Sequence, residues 1–229
     1  MHAFSTCMGS LLGHQWAQKL IKQVQDLITS IRASHRPKAL LEQIAKRMGI
    51  NRMLITSNKT RFTSVHASIE SVLRLQPALQ ELARQHPDCL SEQLFDCISD
   101  DMFFIMIKQL CKILEPFTLV IQAVQAACAT LADVTRYWLY LAKTISQLPF
   151  QSIDSAFRRW CCIAFNMRQQ EMLSPLCKLA LFLHPLYRDA LAGSSGLWEE
   201  ISVEAGQLWQ ASRPSQAAHD VRHAEVQTA

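Results

Sequence analysis

Glycine is scarce in this sequence, and its scarcity excludes several classes of protein. Only 6 of the 229 residues are glycine, and no two glycines are separated by a single residue. A glycine-rich loop that holds the phosphates of a nucleotide is therefore excluded. So few glycines also argue against the many tight turns of a β-sandwich or a β-barrel. With 49% hydrophobic residues, however, the chain is apolar enough to build a core, which argues against intrinsic disorder.

Long hydrophobic runs are missing as well. Unbroken apolar runs such as Phe103–Ile107 fall far short of the roughly 20 residues that a membrane-spanning helix needs. The first residues, Met1–Leu12, contain neither the basic start nor the sustained apolar stretch of a signal peptide. We therefore expect a soluble, intracellular protein with no membrane partner.

Motifs for metals, cofactors and catalysis are also missing. The 8 cysteines include no Cys-x-x-Cys pair, and the 8 histidines do not have the spacing of a zinc finger. We expect free buried thiols, no metal site and no cofactor. No G-x-S-x-G, H-E-x-x-H or G-K-[ST] motif occurs. Asp100 and Asp101 resemble a carboxylate pair, but neighbouring helical residues point roughly 100° apart, which favours a role at a helix start. We expect no enzymatic activity.

What the sequence does contain is an uneven distribution of charge. Residues 1–87 carry 12 Lys/Arg and 4 Asp/Glu, a balance of +8, whereas residues 88–229 carry 11 and 15, a balance of −4. Eight of the basic residues lie between Arg32 and Arg61, where Glu42 is the only acid. Such an excess attracts a phosphate backbone or an acidic protein face. The alternative is a solvated surface that keeps the protein soluble.

Helical periodicity dominates the rest of the pattern. Apolar residues after Trp16 recur at the spacing of one helix face, at Leu20, Ile21, Val24, Leu27, Ile28 and Ile31. Gly49 is expected to close a helix, Pro77 to kink or divide one, and Pro116 to start one over residues 116–128. Thr130 and Asp133 have the spacing of a capping box. The sequence predicts an all-α fold, an irregular bundle or array of about eight to ten helices with no substantial sheet. We expect one domain over residues 1–210 and a polar, disordered tail over residues 211–229.

One polar segment, Asn58–Ser64, carries a candidate binding function. Lys59 and Arg61 can meet phosphate, Phe62 offers a face on which an unpaired base could stack, and Ser64 can cap the following helix. The alternative is purely structural: a helix cap whose aromatic ring packs into the core.

The same segment carries a resemblance to a known family. Residues 60–64, Thr-Arg-Phe-Thr-Ser, resemble the T-R-W-N-S motif of the hAT (hobo/Activator/Tam3) transposases. His14 and the helix after it resemble the family's C-x-x-H segment. Residues 114–134, which end in Thr-Leu-Ala-Asp-Val, resemble its "L-x-P…T-L-A-D-V" helices. Residues 179–188 resemble its "L-A-x-x-L-x-P-x-Y-(K/R)" motif. The four motifs occur in the family's order.

The resemblance implies the helical insertion of a ribonuclease-H-like transposase core. The family's Asp-Asp-Glu triad binds two divalent metals, and its two aspartates lie upstream of the C-x-x-H segment. By this comparison they are missing here, so we expect a truncated, non-catalytic element linked to DNA transposition and, if expressed, located in the nucleus. The implied DNA-binding residues are Lys59, Arg61, Phe62, Ser64, Arg52 and His14.

The sequence departs from the family pattern in two of the motifs. Cys7 lies seven residues before His14 rather than three, and Phe62 and Thr63 replace the family's Trp and Asn.

We expect truncation to expose apolar surface at Leu11, Leu12 and Trp16, which could support a homo-oligomer. The alternative function is a non-catalytic helical scaffold that binds an acidic protein partner.

Overall fold

The computed structural model describes residues 2–58, 62–126, 128–148, 154–187 and 195–212. Within these ranges the secondary structure is helical and includes no strand, so the prediction of an all-α fold is confirmed. The helices are α1 (His2–Leu12), α2 (Gln15–Ala33), α3 (His35–Arg47), α4 (Phe62–Gln85), α5 (Glu92–Ser99), α6 (Asp101–Ala123), α7 (Leu131–Ser146), α8 (Ser155–Met172), α9 (Pro175–Leu183) and α10 (Ser195–Ser212). A short 3-10 turn covers Pro87–Cys89. Among the described helices, none is both long and apolar enough to cross a bilayer.

Several helix ends follow from the local signals in the sequence. Gly49 has φ +74° and closes α3, with Ile50 N–H donating to the Ala45 carbonyl at 2.8 Å. A residue with a side chain rarely adopts this φ, which explains glycine at the position. The Ser91 hydroxyl and the Asp100 carboxylate accept bonds from the first turns of α5 and α6.

Neither internal proline divides its helix, although the sequence predicts that Pro77 kinks or divides one and that Pro116 starts one. Pro77 lies inside α4, which is a single helix. Pro116 lies inside α6 and is buried, so the predicted helix start at this residue is wrong. An uninterrupted helix places the apolar residues before and after Pro116, such as Leu114 and Phe117, in the core. The Thr118 hydroxyl donates to the Leu114 carbonyl at 3.1 Å, which gives this buried hydroxyl a partner.

The chain divides into two compact units, where the sequence analysis expects one domain over residues 1–210. The larger unit comprises Met1–Ala129 and Tyr137–Gln170, and the smaller comprises Thr130–Arg136 and the described residues from Glu171 onward. The predicted tail begins within α10, at residues 211 and 212, and its remainder lies outside the described residues.

The core of the larger unit lies where α4 and α6 pack against each other and against α1, α2, α3 and α5. Trp138 is 1% exposed, and its ring stacks on Phe4 at 4.6 Å and lies 5.5 Å from Phe165. Leu11 and Leu12 are 0% and 6% exposed, so the expectation that they form an open apolar surface is wrong. Both leucines lie on α1, a helix that the sequence pattern does not predict and that packs on α4 and α6. Trp16 is half-buried and stacks on Phe157.

Candidate nucleic-acid interface

Basic side chains are exposed at the end of α2, along α3 and on the loop that follows. We call Arg32, Lys38, Lys46, Arg47 and Arg52 the basic surface, and all five side chains are exposed. Arg36, between them in sequence, forms an ion pair with Asp88 at 2.7 Å. In the part of the chain that the structure describes, the five residues of the basic surface form no ion pair. Their positive charge is therefore presented to solvent.

Part of the basic surface also has a structural explanation. Arg32 lies in the last turn of α2, and Lys46 and Arg47 lie in the last turn of α3. Cations at these positions interact favourably with the helix dipole. Together with the stronger hydrogen bond from Arg84, Arg47 also lowers the pKa of the Glu81 carboxyl. Lys38 and Arg52 occupy neither position, so helix-end stabilisation does not account for them.

The loop that carries Arg52 is anchored to α2 and α4. Leu54 is buried, and the Ile55 N–H donates to the Ser71 hydroxyl of α4 at 3.0 Å. From α2, the Gln25 side-chain amide donates to the Ser57 hydroxyl at 2.9 Å, and Arg32 donates to the Thr56 hydroxyl at 2.6 Å. These bonds hold residues 54–57 in place, and Arg32 keeps part of its guanidinium exposed.

Phe62 and Ser64, which the sequence predicts to bind DNA, both make structural contacts. A Cβ atom built on Gly9 of α1 would lie 2.7 Å from Cζ of Phe62, so the ring lies directly against this glycine. The Ser64 hydroxyl accepts from the Asn58 N–H at 2.8 Å and donates to the Asn58 carbonyl at 3.0 Å. Both residues therefore have structural contacts, but not as the predicted cap with a core ring: α4 already begins at Phe62, Ser64 lies within it, and Phe62 remains 36% exposed. The predicted positions Lys59 and Arg61 lie outside the described residues.

His14, the sixth predicted binding residue, lies immediately before α2 and caps it. Its Nδ1 accepts a hydrogen bond from the Trp16 N–H at 3.2 Å. The imidazole ring lies 5.4 Å from the ring of Phe157 and 6.0 Å from that of Trp160. This arrangement explains a histidine here through local structure. Arg52 is therefore the one residue of the predicted six, among those that the structure describes, that is an exposed cation without an ion pair.

A groove between α4 and α6 is acidic rather than basic. It has a volume of about 560 Å³ and is lined by His66, Glu70, Cys111 and Glu115, among others. Burial lowers the pKa of His66 although Glu70 and Glu115 act in the opposite direction. Burial and the same two carboxylates raise the pKa of Cys111 to about 11. A search of the described residues finds no group of three or more His, Cys, Asp and Glu side chains able to hold a metal ion.

In the smaller unit, two stretches that carry the family resemblance are in direct contact. The Tyr187 hydroxyl donates to Asp133 at 2.7 Å, although the two residues are 54 positions apart. Asp133 also accepts from the Thr130 N–H at 2.9 Å, and its own N–H donates to the Thr130 hydroxyl at 3.2 Å, so the predicted capping box is confirmed. The Thr130 bonds, then the Tyr187 bond, lower the pKa of Asp133 to about 2. The guanidinium of Arg136 lies 5.2 Å from the centre of the Tyr187 ring.

One face of α8 exposes apolar side chains. Trp160, Ile163 and Met167 are 38%, 55% and 58% exposed and follow one another at helical spacing. The Trp160 indole N–H donates to the Ser10 carbonyl at 2.9 Å, which fixes the ring while part of it stays in solvent. We call these three residues the α8 row. The α8 row could not be predicted from sequence, because helical spacing alone does not distinguish an exposed apolar face from a buried one.

Comparison of the chain with protein-family models, with curated proteins and with solved structures finds no match in any of the three.

Proposed function

We propose that this chain is a non-catalytic helical region of the hAT transposase type and that its basic surface binds DNA. The observation that carries the proposal is the set of five exposed cations, Arg32, Lys38, Lys46, Arg47 and Arg52, which the described acids leave without ion pairs. Phosphate contacts of this kind give affinity without reading the base sequence. The DNA-binding role thus rests mainly on α3 and the anchored loop, and less on Phe62.

The transposase relationship is supported by two observations besides the order of the motifs. The fold is all-α, as expected for the family's insertion. The stretches around Asp133 and Tyr187, which carry two of the four motifs, are joined by a 2.7 Å hydrogen bond. Paired positions in two separate motifs are typical of a shared structural unit. A nuclear location is part of the same proposal.

The test is DNA binding measured as a function of salt. Fluorescence anisotropy with a labelled duplex, a hairpin and a single strand gives the affinity for each form. If four or five cations meet phosphates, log K should fall linearly with log salt, with a slope of about −4 on duplex DNA. The double variant Lys38→Glu/Arg52→Glu should reduce both the affinity and the slope.

The control variant is Lys112→Glu/Lys143→Glu, which makes the same charge change at two exposed lysines outside the basic surface. It should retain most of the affinity. If none of the three DNA forms binds at about 50 mM salt, where phosphate contacts are strong, the DNA-binding proposal fails. It fails equally if the two double variants lose the same affinity, because the effect would then be one of net charge alone.

A second candidate function is a helical scaffold whose basic surface meets a protein with an acidic face, and the α8 row favours protein binding because it offers apolar anchors in addition to that charge. Exposed Trp160, Ile163 and Met167 side chains are the kind of apolar anchors found at the centres of protein interfaces. Ile163→Ser and Met167→Ser remove anchors without changing charge. If these variants abolish capture of a protein partner and leave DNA affinity unchanged, the scaffold function is the better one. Unchanged capture would exclude a role for the α8 row.

A further inference from the structure

One hydroxyl lies in the middle of the cationic segment and makes no capping bond. Ser34 joins α2 to α3, since it directly follows the last residue of one helix and directly precedes the first residue of the other. Its backbone is extended, with φ −106° and ψ 124°, and the side chains of residues 32–36 are all exposed. A serine at this position usually caps the following helix, but the Ser34 hydroxyl forms no capping hydrogen bond. The hydroxyl is therefore presented to solvent.

The other hydroxyls in the same stretch of chain have structural bonds. Residues 32–58 contain three serines and threonines, which are Ser34, Thr56 and Ser57. The Thr56 hydroxyl accepts from Arg32 at 2.6 Å, and the Ser57 hydroxyl accepts from Gln25 at 2.9 Å. Both bonds hold the loop to α2, so a bulky group on either oxygen would displace the loop. A group on the Ser34 oxygen has no such bond to break.

The charges around Ser34 are those that a protein kinase for basic substrates recognises. Arg32 lies two residues before it, Arg36 two residues after it and Lys38 four residues after it. No acid lies within seven residues of Ser34 on either side in the sequence. Arg36 does pair with Asp88, but both side chains are mostly exposed, so the pair is a weak one. An enzyme with an acidic substrate groove selects such a segment by complementary charge.

We propose that Ser34 is a phosphorylation site and that its phosphorylation releases DNA from the basic surface. In the transfer, Oγ of Ser34 attacks the γ-phosphorus of a nucleoside triphosphate, and the bond from this phosphorus to the bridging oxygen breaks. The nucleoside diphosphate leaves, and the hydroxyl proton passes to a base of the kinase. The effect on DNA rests on the proposed function, whereas the modification itself does not.

The phosphate should weaken DNA binding and strengthen the fold. A phosphoserine carries a charge of about −1.5 to −2 at pH 7, which offsets about two of the cations of the basic surface. Lys38 is close, because it lies one helical turn along α3 and its N–H donates to the Ser34 carbonyl at 3.3 Å. The first turn of α3 has no side-chain cap and no acid, so an anion at this end stabilises the helix. Loss of affinity without loss of stability is therefore the expected signature.

The first measurement is the incorporation of phosphate into the full chain. The protein is incubated with ATP and a kinase that requires basic residues on both sides of its serine, and mass spectrometry locates the phosphate. Ser34 should be the main site, and Ser34→Ala should lose it. A kinase that requires acidic residues after its serine should leave Ser34 unmodified. Phosphate found only at other residues would overturn the proposal.

The second measurement is the DNA affinity of the purified phosphoprotein. At about 50 mM salt the affinity should fall about tenfold or more, and the slope of log K against log salt should change from about −4 to about −2. A phosphatase should restore both. Ser34→Glu should show part of the loss. Ser99→Glu makes the same charge change at an exposed serine outside the basic surface, and it should bind like the wild type.

Thermal unfolding separates a local charge effect from a loss of structure. The unfolding temperature of the phosphoprotein should be at least that of the unmodified chain. A lower unfolding temperature together with weaker binding would overturn the proposal, and so would unchanged affinity after complete phosphorylation of a chain that binds DNA. If the unmodified chain binds no DNA, the proposed function fails and the release of DNA fails with it. Mass spectrometry still decides in that case whether Ser34 is a modification site.

Discussion

The contact between Phe62 and Gly9 leads to a prediction that decides whether this ring has a structural role. We expect Gly9→Ala and Phe62→Ala to be strongly coupled in their effects on stability. Gly9 lies inside α1, where alanine should stabilise a helix by about 1 kcal/mol relative to glycine. The new Cβ, however, would lie 2.7 Å from Cζ and 2.9 Å from Cε2 of Phe62.

Carbon atoms in contact are normally separated by about 3.5–4.0 Å, so the ring must move by roughly 1 Å. Overpacking of this kind costs about 1–3 kcal/mol, and the exposed part of the Phe62 ring places the cost near the lower limit. In the wild-type background the gain and the cost then nearly cancel. In the Phe62→Ala background only the gain of about 1 kcal/mol remains. The expected coupling free energy is therefore about 1 kcal/mol.

The assay is equilibrium unfolding in urea of the wild type, both single variants and the double variant. Gly206→Ala is the matched control, because a Cβ at this helical position in α10 meets no atom within 4 Å. It should stabilise by about the same amount with or without Phe62. If the effects of Gly9→Ala and Phe62→Ala add within about 0.3 kcal/mol, the ring does not rest on Gly9 and the structural role is refuted.

Two other predictions concern the titratable groups. The folded-state pKa of Asp133 is lowered from 3.8 to about 2, so its carboxylate should contribute stability above pH 3.8 that is lost as the pH falls towards 2. The unfolding temperature of Asp133→Asn should therefore depend less on pH in this window than that of the wild type. If the two proteins show the same pH dependence, the Thr130 and Tyr187 bonds do not stabilise the Asp133 carboxylate. Burial raises the pKa of Cys7 and Cys161 to about 12, so a thiol reagent at pH 8 should modify the exposed Cys128 first and these two only after unfolding. Mass spectrometry of the labelled peptides checks the order, and early labelling of Cys161 would contradict the burial.

The parts of the fold that could be predicted from sequence are those with local causes. Gly49 ends α3 because other residues rarely adopt its positive φ, and Thr130 with Asp133 starts α7 through bonds within one turn. Pro116 shows where local reasoning fails. Its usual preference for a first turn is outweighed by the apolar residues on both sides, whose burial requires one continuous helix.

The candidate site divides in the same way. The exposure of Lys38 and Arg52 could be predicted because isolated charges rarely enter a core. The contact of the Phe62 ring with Gly9 could not be predicted, since nothing near either residue in sequence indicates that α1 and α4 meet there.

The long-range bonds of Ser10 have a consequence for how the chain folds during synthesis. Ser10 accepts from Trp160 and from Arg168, which follow it by 150 and 158 positions. During synthesis α1 therefore cannot complete these contacts until α8, about 150 residues later, has emerged from the ribosome. At a synthesis rate of about 5–20 residues per second, α1 is on the ribosome for on the order of ten seconds before these partners are made. During that interval Phe4, which ends up stacked on Trp138, lacks this neighbour and is available to chaperones.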